Sequence, residues 1–208
     1  MMSNPLKKLN KINKNLNPNQ RKLFATFVFL AKMLVFAIPF YAIMSIPGIL
    51  LPLQDIVSQN VESILRFMGF AVSRHGFLLT AGGIAFFISE DCTGWKSMTL
   101  LTALIFAVPG VKLKKRLVGA TVGIAAIYAG NLVRIIAVVS IWNGYGYALA
   151  SLVHDYLWQA GLVSLVLALW VCWMVWAGKI ETTFFKRIIK IIKPGKPRAK
   201  IKKNKVAK

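Results

Sequence analysis

The apolar residues of this chain come in long blocks, not in the short alternations of a soluble core. One block runs from Phe24 to about Leu51 with a single interrupting charge, Lys32; others run from about Leu117 to Trp142 and from about Leu152 to Ala177. A helix needs about 20 apolar residues to cross the hydrocarbon core of a bilayer, at about 1.5 Å per residue. Backbone polar groups find no water there, so blocks of this kind are read as helices. Lys32 lies near the start of its block, where a long side chain can reach the interface. Pro39 and Pro47 read as tolerable kinks. A further block from about Thr93 to Val108, closed by Pro109-Gly110, makes a fourth span. With 57% hydrophobic and only 16% charged residues, the composition departs from that of soluble domains, where about a quarter of residues are charged.

Two segments do not fit the pattern of spans. Over residues 53–69, apolar Leu53, Ile56, Val57, Ile64, Leu65 and Met68 follow helical spacing, with Asp55, Glu62 and Arg66 on other faces. This predicts an amphipathic helix lying on the membrane or covering a site. Residues 70–89 contain two short runs, FLLT and IAFFIS, on either side of Gly82-Gly83. A β-hairpin about that turn is the preferred reading; a short or re-entrant helix is the competing one. The expected fold is therefore an all-α integral membrane protein of about four transmembrane helices, with a short extracytoplasmic amphipathic helix and a β-hairpin.

Charge sets the expected orientation. The net charge of +21 resembles that of a nucleic-acid-binding protein, but its distribution points to a membrane. Residues 1–22, 111–116 and 179–208 hold 22 of the 27 Lys and Arg residues. Four spans place these three segments on one side, and by the positive-inside rule that side is the cytoplasm. Asp55, Glu62, Glu90, Asp91 and Asp155, five of the six acids, fall on the other side. A fifth span through the hairpin region would break the rule. The expected organisation is a cytoplasmic basic tail over 1–22, a transmembrane domain over 23–178 and a second cytoplasmic basic tail over 179–208. The tails lack aromatic interleaving and any nucleic-acid-binding module, so attraction to anionic lipid is preferred over nucleic acid as their role. The first apolar block is too long for the core of a cleavable signal peptide and is expected to remain as an anchor.

Two cysteines, Cys92 and Cys172, cannot make a disulfide framework, and no zinc-like spacing exists. Neither a metal nor a cofactor is expected. Cys172, within LWVCWMVW, reads as a lipid-facing or packing residue. Cys92 lies in a polar stretch, SEDCTGWKS, at the expected start of a span, where helix amides favour an anion and Lys96 adds positive charge. Thr93-Gly94 allows close backbone approach and amides that could hold an oxyanion. Arg134 sits inside AGNLVRIIAVV. An arginine within a span costs at least about 2.5–3.5 kcal/mol on insertion scales, so a polar cavity or partner is expected. Asn131, three residues earlier, shares its helix face. His154, in VHDYLWQAG, could accept the thiol proton or protonate a leaving amine. Its neighbour Asp155 is expected to point elsewhere on the helix. His75, in SRHGF, reads as a solvated residue.

Taken jointly, Cys-Thr-Gly opening one helix, Asn-x-x-Arg in the next and His opening the last resembles the exosortase/archaeosortase family over roughly residues 60–165. Members of that family are membrane-embedded cysteine transpeptidases, sortase-like in task but not in fold. The resemblance implies that Cys92, Arg134 and His154 form the catalytic set, with Asn131, Thr93, Gly94 and Lys96 as supporting or substrate-binding residues. It also implies partners: secreted proteins with C-terminal tripartite sorting signals (motif, transmembrane helix, basic end), and a lipid acceptor. The expected location is the plasma membrane, multi-pass, with the active site facing outside. Two rival readings are a small membrane insertase or carrier with Arg134 in a wet groove, and a scaffold in which Arg134 pairs structurally with Asp91 or Asp155.

Overall fold

The computed structural model describes residues 17–156 and 160–179. The basic tails expected over 1–22 and 179–208 lie largely outside the described residues. Helix α1 spans Pro18–Ser45. Proline occupies its first turn, where no amide donor is needed, and the Asn17 amide donates to the Gln20 side chain at 3.0 Å. The helix continues through Pro39 and buries no residue within the protein. Leu23, Phe27 and Leu34 are each about two-thirds exposed or more, an apolar surface suited to lipid. The expected kink at Pro47 is instead the end of the helix. Pro47 falls in a turn over residues 46–50 with Gly48 at φ +77°, and α2 starts anew at Leu51.

Helix α2, Leu51–Phe67, is amphipathic as its spacing predicted, but its buried stripe is Gln54, Val57, Ser58, Val61 and Leu65. Ile56 and Met68 lie off that stripe, each half exposed. The stripe carries a three-stranded antiparallel sheet, β1 Val72–His75, β2 Leu78–Ala81 and β3 Ile84–Phe87, in the order β1-β2-β3. The chain is thus not all-α, and the region holds three strands where a two-stranded hairpin was expected. Gly82 and Gly83 both have positive φ, 58° and 80°, as the type I′ turn of a two-residue hairpin requires. Leu79 and Ala81 pack into a core with Val57, Val61 and Leu65 of α2 and Ile135 and Val139 of a later helix. Arg74 pins the sheet to α2, donating to Glu62 at 2.9 Å and to Asp55 at 2.8 Å.

After a short 3-10 turn at Glu90–Thr93 come α3 Trp95–Ala107, α4 Leu113–Tyr145, α5 Tyr147–Tyr156 and α6 Leu162–Trp176. Helices α1 and α4, of 28 and 33 residues, are long and apolar enough to cross a membrane. Helices α3 and α6, of 13 and 15 residues, reach only about 20 Å, short of the ~30 Å hydrocarbon core. In the block expected as one span over 152–177, α5 runs to Tyr156 and helix resumes at residue 160 ahead of α6, with residues 157–159 outside the described set. Leu101 and Ile105 of α3, Ala120 and Ile127 of α4, and Val166 and Trp173 of α6 form a second core. Small residues set its spacing: a Cβ on Gly119 would lie 2.1 Å from Trp173, and one on Gly123 would lie 2.3 Å from Leu101.

The basic segment 111–116 was expected as a loop, yet α4 begins at Leu113, so Lys114, Lys115 and Arg116 are helical. Arg116 donates to the carbonyls of Phe106 at 2.9 Å and Val108 at 2.7 Å. It thereby satisfies the free acceptors at the C-terminal end of α3. The Trp173 indole donates to the Lys115 carbonyl at 3.0 Å. These contacts fix the end of the bundle opposite to Cys92, because α3 leads away from the Cys92 turn and α4 leads back.

Candidate active site

Cys92 lies in the 3-10 turn, and the turn is held from three sides. Its amide donates to the Ser89 carbonyl at 2.9 Å. The buried Thr93 hydroxyl donates to the Glu90 carbonyl at 2.7 Å and accepts from the Trp95 amide at 3.4 Å. Thr93 therefore ties the turn to the first turn of α3. From α2, the buried Gln54 amide donates to the Ile88 carbonyl just ahead of the turn. From α4, Asn131 Nδ2 donates to the Cys92 carbonyl at 2.6 Å.

Gly94 follows at φ +77°, a left-handed conformation that side chains disfavour. A Cβ there would stand 3.3 Å from Asn131 Cγ. Gly94 and Asn131 thus fit together directly beneath the cysteine. Asn131 is fully buried, and its Oδ1 has no hydrogen-bond partner among the described residues.

Arg134 is one turn along α4 from Asn131 and only 4% exposed. Its guanidinium interacts with the Cys92 side chain. His154 projects from α5, partly exposed, with Nδ1 3.3 Å from Asp155 Oδ1. The expectation that Asp155 points away is corrected: its carboxylate meets the ring of its neighbour His154. Cys92, Arg134 and His154, from three separate elements, line one cavity of about 220 Å³. Its other walls are largely apolar, among them Phe86, Val138, Trp142 and Tyr147. A cation and a titratable ring beside a thiol, within apolar walls, form a setting where charge interactions are strong.

Lys96 does not join this group. Its Nζ pairs with Asp91 at 2.7 Å, and both residues line a separate groove against Phe36 and Phe40 of α1. Asp91 and Asp155, the acids named as structural partners for Arg134, thus contact Lys96 and His154. His75 is exposed at the end of β1. Among the described residues no group of three His, Cys, Asp or Glu side chains could hold a metal ion.

Sequence reasoning missed Ser89, whose hydroxyl lies 3.3 Å from Cys92 Sγ. The available signal was its position three residues before Cys92, at the entry to a turn. It also missed Ser151, which lines the cavity one turn before His154. A family model described as transmembrane exosortase (exosortase EpsH) matches residues 19–176. No curated protein and no solved structure matches the chain.

Proposed function

The chain belongs to the transmembrane exosortase family, and from that membership we propose that it is a membrane-embedded cysteine transpeptidase. Its substrates are secreted proteins bearing a C-terminal sorting signal. The observation that carries the proposal is the single cavity shared by Cys92, Arg134 and His154. Cys92 Sγ attacks the carbonyl carbon of the scissile peptide. Its proton passes to His154, and Arg134 stabilises the oxyanion of the tetrahedral intermediate. The C–N bond breaks as His154 delivers that proton to the leaving amine. A thioester on Cys92 remains. The amine or hydroxyl of a lipid head group then attacks the thioester and regenerates the thiol.

With Nδ1–H donated to Asp155, His154 keeps Nε2 as the proton acceptor. Ser89 donates to the sulfur, and Asn131 with Gly94 and Thr93 hold the turn in place. In this reading the apolar helices make four crossings, with α5 and α6 sharing the last. Residues 23–178 form the catalytic domain and both basic tails are cytoplasmic. The cavity, at the end of α3 and α4 remote from the basic turn, opens to the outside of the plasma membrane.

The test uses cells expressing candidate tailed proteins with an epitope beyond the sorting signal. Cys92→Ala abolishes release of the epitope, and Arg134→Ala lowers it by about 10²–10³, the usual loss for an oxyanion donor. Normal release in Cys92→Ala excludes the mechanism.

A further inference from the structure

Strand β3 has an open edge, and that edge faces the cavity. The sheet order β1-β2-β3 leaves one side of β3 without a strand partner among the described residues. Along a strand successive side chains point to opposite faces. Phe86 and Phe87, the last two residues of β3, and Ile88 just beyond it nevertheless all line the cavity in succession. A space that touches Phe86 and Phe87, whose side chains point to opposite faces, lies along the strand's edge and not over one of its faces.

The ladder shows which backbone groups are free there. The Ile88 amide donates to the Phe77 carbonyl at 2.9 Å, and the register pairs Phe86 with Leu79 and Ile84 with Ala81. Hydrogen-bonded and non-bonded pairs alternate in an antiparallel ladder. Ile84, Phe86 and Ile88 thus direct their groups toward the rest of the sheet, and Ala85 and Phe87 direct theirs to the open edge. The edge lacks two of the usual protections: Ile84-Ala85-Phe86-Phe87 has no charge and no proline. Ala85 is small and exposed, and Phe87 is 59% exposed. Cys92 follows five residues after Phe87 on the same continuous segment.

We infer that the open edge of β3 is the docking strand for the substrate polypeptide, which adds to the sheet in extended form and passes its scissile region to Cys92. This rests on the function proposed above. Main-chain pairing with Ala85 and Phe87 supplies affinity, and alternate substrate side chains fall into the space beside Trp142 and Tyr147.

The test reads docking apart from turnover. The full-length protein carrying Cys172→Ala, in lipid nanodiscs, keeps Cys92 as its sole thiol. The probe is a short Val/Thr peptide ending in a cysteine activated as a thiopyridyl disulfide. A twin probe has alternate amides N-methylated. Exchange joins the peptide sulfur to Cys92 and releases thiopyridone, which is followed by absorbance. A few modest edge hydrogen bonds favour the unmethylated peptide by about tenfold in half-saturating concentration. Ala85→Pro removes one donor on the open edge, a position where an edge strand accepts proline, and narrows the difference. Equal capture of the two peptides by the protein with an intact β3 overturns the inference, whatever the folding of Ala85→Pro. Because exchange needs no peptide cleavage, that result leaves the role of Cys92 standing. Conversely, normal processing by Cys92→Ala leaves the docking result standing.

Discussion

Gly94→Ala probes the joint between the cysteine turn and α4. The backbone at Gly94 has φ +77°, and placing an L side chain in that region costs about 1–2 kcal/mol. The new Cβ would stand 3.3 Å from Asn131 Cγ and 3.4 Å from its Cβ, so Asn131 must yield by a few tenths of an ångström. Asn131 is fully buried and donates to the Cys92 carbonyl at 2.6 Å. Loss of a buried hydrogen bond costs about 1–3 kcal/mol. The single variant is therefore destabilised by about 2–5 kcal/mol. Asn131→Ala alone loses the same hydrogen bond, at about 1–3 kcal/mol. In the double variant the bond is already absent and the crowding is relieved, so the two penalties overlap by at least about 1 kcal/mol. The assay is a double-mutant cycle on unfolding midpoints in mixed micelles, followed by circular dichroism. Additivity within about 0.5 kcal/mol, the behaviour of independent sites, refutes the coupling.

Two further outcomes follow from the same geometry. Lys96→Ala lowers epitope release less than tenfold, whereas Arg134→Ala has the far larger effect, because Lys96 faces a different groove; equal losses in the release assay contradict that placement. Hydrogen bonding to Asp55, with Glu62 adding to it, holds the Arg74 guanidinium above its ordinary range. For a raised base, stability is fully present below the ordinary range and is lost only as pH climbs through the raised value. Arg74→Ala thus lowers the thermal midpoint across the neutral range, and by less at high salt, since the pair with Asp55 is partly exposed; a salt-independent deficit in a melting series contradicts an electrostatic origin.

The blocks that became α1 and α4 were plain in the sequence because helix-length apolar runs are a strong signal. The grouping of Cys92, Arg134 and His154 was legible for a related reason: each lies near the same end of its block. What escaped was decided between segments. Val72–His75 contains Ser, Arg and His and has no strand signal of its own; it becomes β1 through pairing with Leu78–Ala81 and the reach of Arg74 to α2. Gln54 and Ser58 broke the apolar pattern of α2, yet both are buried. Gln54 serves the Ile88 carbonyl and Ser58 the Gln54 carbonyl. Lys96 was assigned to the cysteine from spacing along one helix, but its side chain turns to Asp91. The helical state of Lys114–Arg116 was masked by their charge, which reads as a loop until the carbonyls that Arg116 caps are in view.

That capping bears on how sidedness can be measured. Orientation in a bilayer is commonly probed by erasing positive charges and watching a reporter change compartment. At Arg116 the same change strips donors from the last carbonyls of α3. A reporter response there would mix a frayed helix with an altered electrical bias. Lys112 and Lys114 carry the same charge on exposed side chains, so they are the positions at which the sign can be varied alone.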